Sequence, residues 1–416
     1  MEQGFEMRAA RAGTAGRRTR LFVTTAFAAL ALMSCGGGGG DSGGDDSGQV
    51  PPAPPPLTPP APTPPPPPPP PPPTGAVTAS VVATLENPWA MVFLPDGRML
   101  VTERAGRLRV VSQAGAVGPA LGGTPPVQFA GQGGLLDVVL DPRFSTNNRI
   151  YLSFTEAGTG GAGTAVARGT LTVDGAGNGS VEDLTVFWRQ APKIGNDTRH
   201  YGGRIAFAPD GTLFVTAGER HQGAPAQDLG GTLGKVIRIN ADGTIPADNP
   251  FVGRAGARTE IWSLGHRNPY GLVFAQDGRL FESENGPEGG DEFNLITRGS
   301  NYGWRVVAEG NDGEPLPRHS TRPDFAAPLV SWSPSIAPGG MIQYTGDRFV
   351  GWNGDFVLAG LAAQALIRVR VSATGASEVA RIALGRRIRE VEQGPDGAIW
   401  VLEDGAGGRL VKLVPQ

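Results

Sequence analysis

The chain has 416 residues, a formal net charge of −3 and 18% charged residues. A charge this close to neutral gives no indication of a nucleic-acid partner, and a single cysteine, Cys35, excludes an intrachain disulfide. Glycine (64 residues) and proline (39 residues) are far above average usage. Much of this excess lies before residue 77, so composition separates a low-complexity N-terminal part from a long, Gly-rich body.

The N-terminus carries five arginines before an apolar run from Leu21 to Met33. The run is shorter than the roughly 20 residues of a membrane-spanning helix, and it has the size of the apolar part of a secretory signal peptide. The Ser34-Cys35 pair that follows is similar to a bacterial lipobox. We predict a lipoprotein-type signal peptide over 1–35, and an exported protein held on the periplasmic side of a bacterial membrane only through a lipid on Cys35. The alternative is a signal peptide cleaved at another site.

Residues 36–76 contain a glycine run, an acidic Gly/Ser patch and a proline tract from Pro51 to Pro73. Because almost nothing apolar is available to bury, we predict a disordered linker. The proline tract favours extended polyproline II, which suits a spacer between an anchor and a domain. A docking site for a proline-binding domain is the alternative reading.

The body from residue 77 repeats one phrase, in which an Asp-Gly or Asn-containing turn precedes an alternating strand. The copies are FLPDGRMLVTE (93–103), STNNRIYLSF (145–154), FAPDGTLFVTAGE (207–219), FAQDGRLFESENG (274–286), WNGDFVLAG (352–360) and QGPDGAIWVLED (393–404). Six units of this kind predict an all-β chain folded as a six-bladed β-propeller over 77–416. A tandem of β-sandwiches is the competing architecture, but it does not explain a repeat that runs nearly to both ends.

Polar side chains precede several of the predicted strands. His200 comes shortly before IAFAPDG, and Gln132 precedes LLDVVLDP. Histidine titrates near neutrality and can accept a proton from a substrate hydroxyl, so His200 is a candidate general base. Gln132 is a candidate hydrogen-bonding residue at the channel mouth. We expect His221 and His319, which lie in polar loops, to be surface residues.

Three further motifs indicate a ligand with negative charge and a cation. Arg267 follows a histidine and precedes a strand, where its guanidinium needs a partner. The Gly286-Pro287 turn can direct backbone carbonyls at a hard cation such as Ca2+. Arg387 and Arg389 are two residues apart, and therefore on one face of a strand, which suits a polyanionic ligand. An ordinary turn and a solvated strand edge are the alternatives for the last two motifs.

Taken together, the motifs resemble those of the soluble pyrroloquinoline quinone (PQQ)-dependent aldose sugar dehydrogenases of the glucose/sorbosone dehydrogenase family. The stretches that carry the resemblance are NPWAMVFLPDGRMLVTER, GQGGLLDVVLDPRF, HYGGRIAFAPDG, GHRNPYGLVF, SENGPEGGDEFNLITRGSNYGW and RIREVEQGPDGAIWVLED. They occur in the family's order and cover about 77–416. The resemblance implies a six-bladed propeller that oxidises aldoses at C1 to lactones, with PQQ and Ca2+ as cofactors and a quinone or cytochrome as the undetermined electron acceptor.

The resemblance also implies a role for each matched residue. His200 would be the base, Arg267 would stabilise the reduced cofactor, and Gln132 would contact the base and the sugar. The backbone carbonyls of Gly286 and Pro287 would bind Ca2+, while Asp291 would hold Arg267 or a calcium-bound water. The residues implied in cofactor binding are Asn268, Arg387, Arg389, Tyr302, Trp332 and Asp291.

The chain departs from the family pattern at two positions. Some members carry a PQQ-binding lysine on the loop of the fifth blade, but this loop reads Leu361-Ala362-Ala363-Gln364. Residue 199, next to the base, is Arg rather than an acid. Two other functions stay open: a Ca2+-dependent sugar lactonase, and a propeller that binds a ligand without turnover.

Overall fold

The structure, a computed structural model, describes residues 77–416; the predicted signal peptide, linker and Cys35 lie outside the described residues. This part forms six four-stranded antiparallel sheets. The innermost strands of successive sheets pack on one another in a closed ring around a channel. The predicted six-bladed β-propeller is therefore confirmed. No helix within 77–416 has the length and apolar character needed to cross a membrane.

The first half of the chain provides one strand of blade 6 and then blades 1, 2 and 3, each from its inner to its outer strand. The outer strand of blade 6 is β1 (Val77–Glu86). Blade 1 comprises β2 (Pro88–Phe93), β3 (Met99–Glu103), β4 (Arg107–Val111) and β5 (Val117–Ala120), and blade 2 comprises β6 (Leu135–Leu140), β7 (Arg149–Gly158), β8 (Gly161–Val173) and β9 (Gly179–Arg189). Blade 3 comprises β10 (Gly202–Phe207), β11 (Leu213–Ala217), β12 (Lys235–Ile239) and β13 (Ile261–Leu264).

The second half provides blades 4 and 5 and the rest of blade 6. The segment of blade 4 contains β14 (Pro269–Phe274), β15 (Leu280–Glu284), β16 (Asp291–Ile296), β17 (Asn311–Asp312), β18 (Glu314–Pro315) and β19 (Val330–Trp332). Blade 5 comprises β20 (Pro338–Gln343), β21 (Phe356–Gly360), β22 (Ala365–Ser372) and β23 (Gly375–Ala383). The remaining strands of blade 6 are β24 (Ile388–Gln393), β25 (Ile399–Glu403) and β26 (Ala406–Pro415). Strands β17 and β18 form a separate hairpin within blade 4. The helical turns are α1 (Phe144–Asn147) and two short 3-10 turns, Ala224–Gln227 and His319–Thr321.

Blade 6 closes the ring because it joins the two ends of the body. Strand β1 pairs antiparallel with β26, from Val77 opposite Pro415 to Glu86 opposite Ala406. Pairing of this kind satisfies the backbone groups that an open sheet edge would leave free. Truncation of β1 would therefore expose an edge of β26.

The core consists of apolar layers between neighbouring blades. One layer, for example, packs Leu100 and Leu108 of blade 1 against Leu135 and Leu152 of blade 2. The second strand of a blade lies between two such layers, so β11 is buried at every position rather than on one face alone. Each fully buried Leu, Ile or Val side chain contributes about 1.5–3 kcal/mol through removal from water.

The Asp-Gly turns of the repeat share one geometry. In each of the four intact copies the glycine has a positive φ, which is 84° at Gly97 and 83° at Gly211, and only glycine adopts this conformation without strain. The aspartate carboxylate accepts a hydrogen bond from the amide two residues on, at 2.9 Å from Thr212 N to Asp210 Oδ1. The repeat therefore marks the turn between the first two strands of a blade.

A buried charge network links the inner strands across the channel. The Arg204 guanidinium binds Glu390, lies 3.4 Å from Asp137 and donates a 2.6 Å hydrogen bond to the carbonyl of Tyr270. Its central carbon lies 4.1 Å from the centre of the Trp89 ring. These five residues come from blades 1, 2, 3, 4 and 6, so the network fixes the inner strands relative to one another. Loss of one charge would leave its partner buried and unpaired, at a cost of about 3–5 kcal/mol.

Candidate active site

The predicted site residues stand where the inner strands begin. His200 precedes β10, Arg267 and Asn268 directly precede β14, Arg387 directly precedes β24, and Gln132 precedes β6. All inner strands run in the same direction along the channel, so these side chains gather at one end of it. We call this end the upper end. The Asp-Gly turns lie at the opposite, lower end.

Carboxylates end the second strands of four blades at the same upper end. They are Glu103 of β3, Glu219 just after β11, Glu284 of β15, and Asp404 just after β25. Each binds the segment that leads into an inner strand: Glu103 Oε1, for example, accepts a 2.7 Å hydrogen bond from the amide of Glu86. Sequence reasoning did not assign Glu219 or Asp404 a role. A signal was present, because all four intact copies of the repeat phrase carry an acid near their end, seven to nine residues after the aspartate of the turn.

His200 is held by two contacts, one to its ring and one to its backbone. Its Nδ1 lies 2.5 Å from Oε1 of Glu219, and its amide donates a 2.7 Å hydrogen bond to Oε1 of Gln132. A carboxylate beside Nδ1 favours the tautomer with the proton on that nitrogen, which leaves the Nε2 lone pair free. His200 is only 5% exposed and has a φ of 52°, so its geometry is specified by these partners.

Burial sets the protonation state of the His200 ring. Loss of solvent lowers the pKa of His200 below its usual value, Glu219 partly raises it again, and the positive charge of Arg267 lowers it further. At neutral pH the imidazole is therefore uncharged and able to accept a proton. Burial raises the pKa of Glu219, but the hydrogen bond with His200, the charges of His200 and Arg267 and the Gly223 amide together leave this pKa below its usual value.

The loop that bears His200 is clamped by Arg220, which the sequence analysis did not single out. This buried guanidinium donates hydrogen bonds to the carbonyls of Arg199, Ala162 and Asp197, at 2.9, 2.5 and 2.6 Å. Its central carbon lies 3.6 Å from the ring centre of Tyr201. Two of the three carbonyls belong to the loop just before His200, so Arg220 fixes the path of the backbone into the base.

Gln132 lies beside the base, as expected. Its Oε1 accepts the His200 amide hydrogen and also a 3.2 Å hydrogen bond from the hydroxyl of Tyr270. This oxygen therefore positions the loop that carries His200 and is not free to bind a ligand. A substrate contact by Gln132 would have to come from its amide nitrogen.

The segment Arg267-Asn268 is anchored by Glu284. Both backbone amides donate to Glu284 Oε2, at 2.5 and 3.1 Å. The Arg267 side chain donates a 3.0 Å hydrogen bond to the carbonyl of Asn285 and lies over the ring of Trp304 at 5.1 Å. Its Nε is buried and finds no hydrogen-bond partner among residues 77–416. A buried N–H without a partner is costly, so this donor is available to a ligand.

Asp291 shapes the Gly286-Pro287 loop. Its Oδ1 accepts the Gly286 amide at 2.9 Å, and its Oδ2 accepts from Ser335 Oγ and the Ala337 amide, each at 2.7 Å. Both oxygens of Asp291 thus accept hydrogen bonds from the loops, and Asp291 makes no hydrogen bond to Arg267. Of the two roles expected for Asp291, the contact with a calcium-bound water stays a prediction.

The Gly286-Pro287 turn leaves its two carbonyl oxygens available. In the described part of the chain, neither of them accepts a hydrogen bond. A Cβ at position 286 would lie 2.3 Å from the carbonyl oxygen of Gly290, so only glycine fits there. Two unused carbonyls on a tightly folded turn suit an oxygen-binding cation such as Ca2+.

Arg387 and Arg389 face the same direction, as predicted, and share one carboxylate. Arg387 Nε lies 3.0 Å from Asp404 Oδ2, and Arg389 Nη2 lies 2.8 Å from Asp404 Oδ1. Arg389 also lies over the Tyr270 ring at 5.5 Å. Burial lowers the pKa of Arg104, and repulsion from the nearby Arg389 lowers this pKa further. Positive charge therefore exceeds negative charge around Arg389.

Tyr302 lines the same cavity as Arg267, whereas Trp332 is not among the residues that line it. Tyr302 stacks on His266, with ring centres 4.7 Å apart, and its hydroxyl donates to the Leu295 carbonyl at 2.5 Å. It borders the same small cavity as Arg267, Gly286 and Pro287. Trp332 lies on the outermost strand of blade 4, in the apolar layer against blade 5. Its indole N–H donates to Glu378 at 2.8 Å, so its ring has a packing role there.

Of the two histidines expected at the surface, one is buried and the other is exposed. His319 is 4% exposed, and its ring bonds Glu309 at 2.9 Å and the Tyr302 carbonyl at 3.0 Å. The surface prediction for His319 was wrong, because a polar loop folds over it. The surface prediction for His221 is confirmed, because this residue is exposed, and its ring centre lies 5.0 Å from that of His200.

A buried histidine with a carboxylate behind it, beside an arginine with an unused donor and a pair of arginines, is the arrangement expected of a propeller enzyme that acts on a polar substrate. Comparison with known proteins agrees: residues 85–412 match the family Glucose / Sorbosone dehydrogenase. The chain belongs to this family, and the predicted resemblance is confirmed. Its predicted enzyme class, a sugar oxidoreductase, is that of the family.

Similar proteins cover nearly the whole body. The chain is 40% identical to aldose sugar dehydrogenase YliI of Escherichia coli over 341 residues, which is 80% of this chain and 91% of that protein. The apo structure of the soluble E. coli aldose sugar dehydrogenase is 39% identical, covers 82% of this chain and 100% of its own, and superposes with a TM-score of 0.77. The PQQ-bound aldose sugar dehydrogenase of Streptomyces coelicolor is 28% identical, covers 83% and 100%, and has a TM-score of 0.67.

Proposed function

We propose that this protein oxidises aldose sugars at C1 to lactones, with PQQ and Ca2+ as cofactors. The observation that carries the proposal is the buried His200–Glu219 pair, whose free Nε2 lies at the same end of the channel as the unused N–H of Arg267. The PQQ-bound relative from Streptomyces supports the choice of cofactor. The electron acceptor that regenerates the cofactor is a quinone or a cytochrome.

The residues present fit both cofactors. PQQ carries three carboxylates, and the excess positive charge of Arg387, Arg389 and Arg104 over Asp404 complements them. The free carbonyls of Gly286 and Pro287 are hard oxygen donors of the kind that Ca2+ binds. When bound, PQQ supplies the hydride acceptor that no side chain can provide. Asn268 is buried at the start of β14, and its Oδ1 accepts from Gly202 N at 3.3 Å.

The protein's own residues supply proton transfer, orientation and charge. His200 Nε2 accepts the proton of the sugar's anomeric hydroxyl as C1 is oxidised, a role that contributes about 10²–10⁴-fold in rate. Glu219 stabilises the imidazolium that forms and keeps the ring in position. The fixed positive charge of Arg267 stabilises negative charge that develops next to it, without the reorganisation that water would need.

Reconstitution tests the proposal. The full chain would be purified without cofactor and treated with EDTA, and PQQ and Ca2+ would then be added separately and together. Reduction of an artificial dye would be followed with a panel of aldoses. We expect turnover only when both additions are present. Retention of PQQ without any aldose oxidation would contradict the proposed reaction, and lactone hydrolysis would then be the next activity to measure.

We also propose that the protein is exported and anchored through Cys35. The proposal rests on the arginines, the apolar run and the lipobox-like end of residues 1–35. Sugar oxidation would then take place on the periplasmic side of the membrane. The proline-rich segment would act as the spacer between the lipid and the propeller.

A further inference from the structure

A pocket of about 310 Å³ opens at the upper end between blades 5 and 6. Its walls come from three loops: 361–364, which joins β21 to β22; 384–387, which joins β23 to β24; and 404–408, which follows β25. The polar residues that line it are Gln364, Arg386, Arg387, Glu403 and Asp404. The pocket thus includes Arg387 of the arginine pair described above and Asp404, the carboxylate of that pair.

The backbone fixes these loops to one another. The amides of Leu384 and Gly385 donate to the carbonyl of Gln364, at 2.9 and 3.1 Å, and the amide of Asp404 donates to the carbonyl of Arg387 at 2.9 Å. Gln364 has a φ of 52°, so the chain reverses direction tightly at the pocket wall. The pocket is therefore a built recess rather than a gap between independent loops.

The charges around the pocket are unbalanced. Arg387 and Arg389 both bind Asp404, whereas Arg386 makes no ion pair with any residue of 77–416. The Gln364 side chain is exposed and likewise makes no hydrogen bond within that range. Glu403, the other carboxylate that lines the pocket, pairs with Arg409. Both carboxylates are thus neutralised by other arginines, and the pocket offers the exposed guanidinium of Arg386 and the amide of Gln364 as donors without a partner in that range. Donors of this kind bind carboxylates, and a guanidinium can do so through two parallel hydrogen bonds.

We propose that this pocket is a carboxylate-binding subsite in which Arg386 and Gln364 bind one carboxylate of the quinone cofactor. The proposal rests on the proposed function. It also accounts for the blade-five loop without a lysine, because a cation reaches the same recess from the neighbouring loop 384–387. An acidic sugar would offer the same chemical group, so the test must separate the two sources.

Equilibrium binding of PQQ to the apo protein with saturating Ca2+ tests the proposal without reference to turnover. We expect Arg386→Ala to weaken PQQ binding about tenfold at low ionic strength, and less at high salt. Arg381→Ala is the matched control, since Arg381 is an exposed arginine of the same blade that pairs with Glu378. An affinity of Arg386→Ala equal to wild type, or an equal loss in both variants, would overturn the proposal.

A second variant places a cation elsewhere in the same recess. Gln364→Lys in the Arg386→Ala background is expected to recover most of the lost affinity, because residue 364 lines the pocket. No recovery would show that Arg386 acts outside the pocket, and would overturn the assignment.

Kinetics identify the source of the carboxylate. A rise in KM for glucuronate but not for glucose in Arg386→Ala, with PQQ affinity unchanged, would assign the pocket to substrate and overturn the cofactor assignment. Failure of the proposed function has a different signature, because the wild-type protein itself would then bind no PQQ.

Discussion

Nδ1 of His200 lies 2.5 Å from Oε1 of Glu219, and both groups are almost completely buried. The two residues come from different parts of blade 3, the entry to its inner strand and the end of its second strand. Their contact orients the ring of a histidine at the end of the channel, as its proposed role of general base requires. The first two predictions below follow from this pair.

We predict that Glu219→Gln lowers kcat/KM by about 10²-fold or more, within the range of general-base catalysis. The amide cannot stabilise the imidazolium that forms on His200. Steady-state kinetics with a reactive aldose would measure the loss. Glu378→Gln, a change of the same size in the outer part of blade 5, serves as control. Wild-type kinetics in Glu219→Gln would show that Glu219 has no part in the reaction.

The pH dependence follows from the direction of the His200 pKa shift. Burial lowers this pKa below its ordinary value near 6.5, so the base form persists at mildly acidic pH. We predict that kcat/KM keeps its plateau below pH 6.5 and falls only as pH drops through the lowered pKa. In Glu219→Gln the acid limb should move to still lower pH, because Glu219 raises the His200 pKa. An acid limb above pH 6.5 in the wild type would contradict this assignment.

Arg220 is predicted to act through the base. Arg220→Lys keeps the charge but cannot make three separate hydrogen bonds to loop carbonyls, so His200 should be misplaced and kcat should fall while PQQ affinity changes little. The effect should disappear in the His200→Ala background, as expected for residues that act as a unit. Arg368→Lys, which alters another buried arginine, controls for stability. Additive losses in the double variant would refute this coupling.

Asp291→Asn is predicted to weaken Ca2+-dependent PQQ binding. The carboxylate organises the Gly286-Pro287 turn through three hydrogen bonds, and an amide would retain one acceptor oxygen and set its NH2 against donors that need an acceptor. The free energy of unfolding should fall by about 1–3 kcal/mol. The Ca2+ concentration that gives half-maximal PQQ binding should rise. An unchanged calcium requirement would show that this turn does not hold the ion.

The lipid anchor predicts a change in fractionation. The wild-type protein should partition with membranes, and Cys35→Ser should release it or leave it unprocessed, since the thiol is the lipid attachment point. Fractionation with metabolic fatty-acid labelling would measure this. Equal labelling of both forms would contradict lipidation at Cys35.

The sequence was most informative where one pattern recurs. The repeated turn and strand predicted six blades, and the position of each motif before a strand predicted a common end for His200, Arg267 and Arg387. Partners such as Glu219, Asp404 and Arg220 were missed, because their contacts depend on blade geometry that no local pattern contains. Trp332 shows the converse: the resemblance implied a place near the cofactor, but the outer strand of blade 4 directs its ring into the apolar layer against blade 5.

The central claim is tested most directly by comparing wild type with His200→Ala in two measurements on the same samples, the PQQ dissociation constant with Ca2+ and the rate of aldose-dependent dye reduction. Our account predicts PQQ affinities within about threefold of each other and turnover lower by about 10²–10⁴-fold in the variant. Turnover retained by His200→Ala, or no PQQ binding by the wild type, would contradict it.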